Sequence, residues 1–333
     1  MDHKPYVLYP LRFHPIFKER VWGGRNLERL YGKELPPGVP IGESWEISDR
    51  PGDTSVIANG PLAGKDLHWL VEHHREELLG AAGLQGERFP LLVKLLDAKG
   101  KLSLQVHPPA HKAAELGGEP KTEMWYIADA APDASLYVGL KRGVSRTAFE
   151  QKIRDGSVED CFHRIPVKPG DAMFLPSGRV HAIGAGLVIF EIQQNSDTTY
   201  RVFDWNRVGL DGKPRALHLA ESLSSINFSD FEPALIRGAI SDEGPIRRCP
   251  LVQDPLFTVE QIQANAVATE LKPQAMQIIG CLSGTIRVGD VGEAVRLTPG
   301  GFCLVPACLD RVKLSAGGEA VFLRVEGRRA RPP

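Results

Sequence analysis

The stretch Gly170-Asp171-Ala172-Met173-Phe174-Leu175-Pro176-Ser177-Gly178-Arg179-Val180-His181 reads as a short apolar strand, a tight turn and the start of a return strand. Its frame, Gly-x5-Pro-x-Gly-x2-His, recurs from Gly300. Pro306 is in place there, while Cys308 and Arg311 stand where the second Gly and the His were. Gly and Pro set the turn, so the first inward residue of the return strand is expected to face a barrel lumen. His181 can bind a metal from that position and Arg311 cannot. The repeat therefore predicts two β modules of one kind, the second without a metal.

The surrounding sequence agrees with a mainly β chain. Apolar strand-like runs occur at 91–96, 102–106, 124–127, 172–175, 187–192, 257–262, 276–282, 302–305 and 320–325. With 34 Gly and 26 Pro spread throughout, turns between short strands are frequent. Helical periodicity is confined to a few places. Leu67, Leu70, Val71, His74 and Leu78 fall on one stripe of a helix expected over 66–79. Weaker helices are expected at 146–154, after the cap Ser145, and at 215–226. The stretch 231–255 holds four prolines and few periodic apolar residues. It divides the chain into a metal-bearing module with helical insertions (1–232), a linker (233–255) and a C-terminal module lacking metal ligands (256–333).

Composition narrows the function classes. The 333 residues carry 40 Lys+Arg against 41 Asp+Glu, a formal charge of −1. No basic excess or basic run marks a nucleic-acid or membrane-surface partner, so the cations that meet an anionic ligand must be local. No stretch approaches the roughly 18 apolar residues of a membrane span, and the opening Met1-Asp2-His3-Lys4-Pro5 lacks the apolar run of a signal peptide. A cytoplasmic location is expected. The five cysteines, Cys161, Cys249, Cys281, Cys303 and Cys308, are scattered without a CxxC pair, which suits reduced thiols. Cys303 and Cys308 lack the second close pair of a cysteine metal site.

The chemistry concentrates elsewhere. In Leu102-Ser103-Leu104-Gln105-Val106-His107, alternate residues of a strand share a side, which gathers Ser103, Gln105 and His107 on one face. Glu123 opens the apolar strand Glu123-Met124-Trp125-Tyr126-Ile127, where a carboxylate is costly unless paired or metal-bound. With His181, the set contains two His and a carboxylate, a common divalent-metal combination that leaves room for water or substrate. Arg201, flanked by apolar neighbours in Tyr200-Arg201-Val202-Phe203, is expected to have a partner, and Glu191 or Asp204 are candidates for a structural ion pair. Lys94 interrupts the apolar run 91–96, and Lys121 shares the side of Glu123 in an extended segment. Lys94, Lys121 and Arg201 could together form a local anion site.

At these residues the sequence resembles the type I mannose-6-phosphate isomerases (phosphomannose isomerases), especially their short bacterial form. The resemblance rests on Trp22-Gly23-Gly24, Gly42-Glu43-Ser44-Trp45-Glu46-Ile47-Ser48, Leu104-Gln105-Val106-His107-Pro108, Lys121-Thr122-Glu123-Met124-Trp125-Tyr126, the Pro176 to His181 turn and Tyr200-Arg201. It implies a cupin fold (a jelly-roll or double-stranded β-helix), here as two modules with a few added helices. It also implies one zinc ion per chain and interconversion of mannose 6-phosphate and fructose 6-phosphate through an enediolate. Gln105, His107, Glu123 and His181 would be the zinc ligands, and Arg201 the catalytic-site arginine. Lys121, Glu191 and a zinc-bound water are the candidate proton carriers, and Lys94 and Ser103 the residues that help hold the phosphate. One departure stands out: Pro109-Ala110-His111-Lys112 replaces the family's usual polar turn with asparagine and aspartate, and His111 is expected on the surface and not among the ligands. The competing readings are another metal-dependent cupin enzyme, acting on a sugar phosphate or as an iron dioxygenase, and a non-catalytic sugar-binding protein with a structural metal. The expected partner is a small phosphorylated sugar, with no nucleic acid and no membrane; the oligomeric state is left open.

Overall fold

The computed structural model describes residues 7–80, 86–290 and 294–327. The opening run Met1 to Pro5 lies outside them. Four antiparallel sheets form two sandwiches, the mainly β, two-module cupin-like architecture expected. In the first, a six-stranded sheet runs in the order Ile16–Gly24, Ile41–Ile47, Leu91–Ala98, Leu187–Gln194, Glu123–Ala130, Ala172–Leu175. It packs on a five-stranded sheet ordered Tyr200–Phe203, Leu104–Val106, His181–Ile183, Ser135–Leu140, Phe162–Pro166. Leu96, Trp125, Ile127 and Ile189 from one sheet meet Leu136, Val138 and Ile183 from the other in the lumen. In the second sandwich, Ser241–Glu243, Ile246–Gln253, Phe257–Asn265, Glu319–Gly327, Gln277–Ser283 and Phe302–Val305 form six strands. Four more, Ala268–Leu271, Val312–Ala316, Ile286–Val288 and Val295–Leu297, close over a largely apolar interior.

The two sandwiches share a core. Strand Leu91–Ala98 is buried on both faces. Leu92, Lys94 and Leu96 turn toward the first lumen, while Leu91, Val93 and Leu95 join Phe190, Phe257, Val259, Ile278, Leu304 and Val325 in one apolar cluster between the modules. The N-terminal segment reinforces this joint, since Leu11 exchanges backbone hydrogen bonds with Leu304 at the edge of the second sheet. Burying both faces of a strand explains why it reads as a continuous apolar run with one lysine in it.

Several expected boundaries shift for local reasons. The helix expected over 66–79 is two helices, Leu67–His73 and Arg75–Leu79, broken where His74 leaves helical geometry at φ −135°, ψ 31°. Asp66 caps the first by accepting from Trp69 N at 2.7 Å. Ser145 caps helix Arg146–Asp155 as expected, accepting from Ala148 N at 3.1 Å. The helix expected over 215–226 shortens to Leu219–Ser225. Two strands, Ser241–Glu243 and Ile246–Gln253, lie within the expected linker 233–255. Pro250 is tolerated in the second because the ladder slips beside it, between Pro250 and Val252.

The Gly-Pro frame takes the same course twice, with one offset. Gly170, Gly178 and Gly300 all sit at positive φ (92°, 90° and 77°), a conformation that only glycine adopts freely. His181 starts its strand and is buried. Arg311 does not face the lumen: it is exposed before strand Val312–Ala316, with Nη1 3.8 Å from Glu270 Oε2, and Val312 turns inward. An unpaired guanidinium in an apolar interior is costly, whereas valine fills it.

Candidate active site and metal centre

Strand register assembles the site. On the six-stranded sheet, Trp45 stands opposite Lys94, Lys94 opposite Glu191, and Glu191 opposite Trp125, which gives one row across four strands. On the facing sheet, Arg201 stands opposite Gln105 and Gln105 opposite His181. Between the rows lies a cleft of about 660 Å³ lined by Lys94, Ser103, Gln105, Lys121, Glu191 and Arg201, among others. His107, Glu123 and His181 are buried beneath it. The structure thus brings all nine candidate residues together at one place. His111 is exposed on the short helix Ala110–Ala113, away from the set.

The buried floor has the chemistry of a cation site. Ligand atoms of His107, Glu123 and His181 lie within 4.8 Å of one another. His107 Nδ1 is 2.8 Å from the Thr198 carbonyl and His181 Nδ1 is 2.9 Å from the Arg179 carbonyl. A carbonyl only accepts, so both imidazoles donate from Nδ1, and both Nε2 atoms present lone pairs. Those lone pairs face a carboxylate, with His107 Nε2 3.6 Å from Glu123 Oε2 and His181 Nε2 3.4 Å from Glu123 Oε1. His107 Nε2 and Glu123 Oε1 have no hydrogen-bond partner. Burial lowers the pKa of both histidines, to about 3 for His181, so the rings stay neutral. Burial opposes ionisation of Glu123, yet the Lys121 ammonium outweighs it and holds the carboxyl well below its usual range. Three acceptors that converge with His107 Nε2 and Glu123 Oε1 left unbonded fit a divalent cation. Gln105 Nε2 is 3.3 Å from His181 Nε2, and a half-turn of its amide places Oε1 on the same convergence point.

Above the floor, charges alternate. Lys121 Nζ lies 2.8 Å from Glu123 Oε2, which raises the ammonium's pKa against the cost of burial. Lys94 Nζ sits between Glu191, at 3.4 Å, and Glu43, at 3.7 Å, and over the Trp45 ring at 5.0 Å. Glu43 also receives Arg20 Nε at 2.9 Å and Trp45 Nε1 at 2.6 Å. Burial works against the Glu43 charge, but Lys94 and Arg20 overcome it and bring its pKa to about 2. Glu191 differs. Burial pushes its carboxyl up, Lys121 and Lys94 only partly counter that, and the Glu123 charge adds to the rise. Trp125 Nε1 holds it at 2.9 Å.

Arg201 has neither of the ion-pair partners considered for it. Asp204 is occupied by Arg207 and Arg215, Glu191 by Lys94, and Arg201 Nε makes no hydrogen bond. Sequence reading did not single out Arg20, Arg215 or His218, which also line the cleft. His218 carried a readable signal as the residue before a helix; its Nδ1 accepts from Arg201 N at 3.2 Å. Arg20 and Arg215 stand in a strand and a polar loop with no local pattern that points inward.

Known proteins resemble this chain along its length. Residues 11–134 match the family model for the catalytic domain of type I phosphomannose isomerases. The mannose-6-phosphate isomerase ManA of Bacillus subtilis is 36% identical over 319 residues, covering 94% of this chain and 98% of its own length. A mannose-6-phosphate isomerase of Streptococcus mutans is 36% identical over 298 residues, covering 89% and 92%. The crystal structure of the mannose 6-phosphate isomerase from Bacillus subtilis matches with a TM-score of 0.87 at 34% identity, over 96% of this chain and 100% of that one. With both sandwiches and more than nine-tenths of each relative's length covered, the chain belongs to the type I mannose-6-phosphate isomerase family.

Proposed function

We propose that this protein interconverts mannose 6-phosphate and fructose 6-phosphate in a zinc-dependent reaction. The observation that carries this reading is the convergence of His107, Glu123 and His181 beneath the cleft that Gln105, Glu191 and Arg201 line. A zinc ion held by Gln105, His107, Glu123 and His181 would polarise the sugar oxygens and stabilise negative charge on them. The remaining work falls to side chains. Aldose-ketose isomerisation moves a proton between C2 and C1 and builds negative charge on the flanking oxygens. Glu191 suits the proton carrier, because a carboxyl with a raised pKa returns a proton more readily than an ordinary one. Lys121 is tied to Glu123 and keeps its proton, so its part is to donate a hydrogen bond to a substrate oxygen. Arg201, which makes no ion pair among the described residues, steadies the enediolate or the phosphate. Ser103 and Lys94 bind the substrate from the cleft walls, with Lys94 set between its two carboxylates toward the sugar hydroxyls.

The resident module is then residues 1–232, and the apolar interior of the C-terminal module leaves it a structural part. All five cysteines are free thiols, and no helix among the described residues is long and apolar enough to cross a membrane. We place the enzyme in the cytoplasm on the thiols. Incubating the purified protein with mannose 6-phosphate, mannose and glucose 6-phosphate tests the substrate reading. Fructose 6-phosphate is expected from the first alone, and no product from mannose 6-phosphate would overturn it.

A further inference from the structure

Asp204 follows directly on the strand that carries Arg201, and it is 5% exposed. Its two oxygens take a bidentate grip from Arg215, with Nε to Oδ2 at 2.7 Å and Nη2 to Oδ1 at 2.5 Å. Arg207 adds Nε at 3.0 Å and Nη2 at 2.7 Å to Oδ1. The loop that returns Arg215 is fastened to the segment leading into Ser103. Arg207 donates to the Lys101 carbonyl and Trp205 Nε1 to the Leu102 carbonyl, the latter at 2.6 Å. Trp205 and Asn206 hold φ values of 58° and 52°, the left-handed turn that sends the loop back over the cleft.

Arg215 and Arg201 line the cleft together. Burial and the Arg215 charge both work against the Arg201 cation, so the two guanidinium groups repel. Asp197 and Asp211 line the same cleft, but neither forms an ion pair with either arginine among the described residues. The other cations of the cleft, Arg20, Lys94 and Lys121, each have a carboxylate within ion-pair distance. Arg201, which makes no ion pair among the described residues and feels Asp204 and Asp197 only at longer range, and Arg215, held by Asp204, together accommodate a dianion better than a neutral sugar.

We propose that Arg215 is a second residue that binds the substrate's phosphate dianion, and that Asp204 is the positioning residue that aims it. This rests on the sugar-phosphate reading above. The test compares wild type, Arg215→Ala, Arg215→Lys, Asp204→Asn and the double variant Asp204→Asn/Arg215→Ala. The readouts are kcat and KM for mannose 6-phosphate and competitive inhibition by inorganic phosphate. Losing one charge-assisted contact raises both KM and the phosphate inhibition constant about 10-fold or more in Arg215→Ala, with kcat within about 3-fold. Arg215→Lys falls between, and Asp204→Asn shifts the same two constants by about 3-fold or more. In the Arg215→Ala background, Asp204→Asn adds less than about 2-fold, because the group it aims is gone. Unchanged constants in a folded Arg215→Ala protein overturn the proposal. An undiminished Asp204→Asn effect in the double variant overturns the positioning role. Absence of turnover in wild type would instead overturn the isomerase reading, and phosphate binding measured by calorimetry on Arg215→Ala then still decides this one.

Discussion

Arg201 stands directly opposite Gln105 across two antiparallel strands, so a guanidinium that makes no ion pair among the described residues and a side chain next to the buried His-Glu-His cluster share one face of the sheet. Activity should be far more sensitive to Arg201 than to any cation on the outer surface. Arg201→Ala is expected to lower kcat/KM by about 100-fold or more, the scale of a transition-state charge contact, with little change in melting temperature. A coupled isomerase assay with parallel thermal melts measures both.

Glu123 faces two imidazole lone pairs, a repulsive arrangement that a cation reverses. Metal analysis of the purified chain should find close to one divalent ion per molecule, and Glu123→Gln or His181→Ala should lose most of it. Removing the ion should also lower the melting temperature by several degrees, because only the folded chain gathers these ligands.

The raised pKa of Glu191 sets the acid side of the activity profile. A carboxylate must be ionised to accept a proton, so turnover falls as pH drops through the raised pKa, above the ordinary carboxyl value of 4.5. Glu191→Gln should lower kcat by about 100-fold or more and abolish that limb in a kcat-against-pH series.

Glu43 should matter to stability in the opposite sense. Its pKa is depressed from 4.5 to about 2, so its contribution is complete above pH 4.5 and disappears as pH falls toward 2. The shift corresponds to about 3 kcal/mol at neutral pH. Urea unfolding of Glu43→Gln against wild type should show a deficit of that order at pH 7 and a shrinking one in acid.

Much of this site was legible in sequence because it is written in strand alternation. Ser103, Gln105 and His107 share a side by a period of two, and Glu123 and Lys94 betray themselves as charges inside apolar runs. The turn to His181 was readable from two glycines that require positive φ. Less legible was whatever depends on register between distant segments. Nothing local tells that Asp204 belongs to Arg215 and not to Arg201, or that Glu43 shares Lys94 with Glu191. The strand Ile246–Gln253 was hidden by Pro250, whose cost is absorbed in a ladder slip, and the break at His74 by an apolar stripe that both short helices continue. Arg311 occupies the repeat position of His181 but lies one residue ahead of the inward Val312.

The most direct measurement is conversion of mannose 6-phosphate to fructose 6-phosphate by the purified chain before chelation, after chelation, and after zinc is restored. Turnover should fall to a small residue on chelation and return as zinc approaches one equivalent per chain. Turnover that survives complete removal of the metal would contradict the role assigned to Gln105, His107, Glu123 and His181.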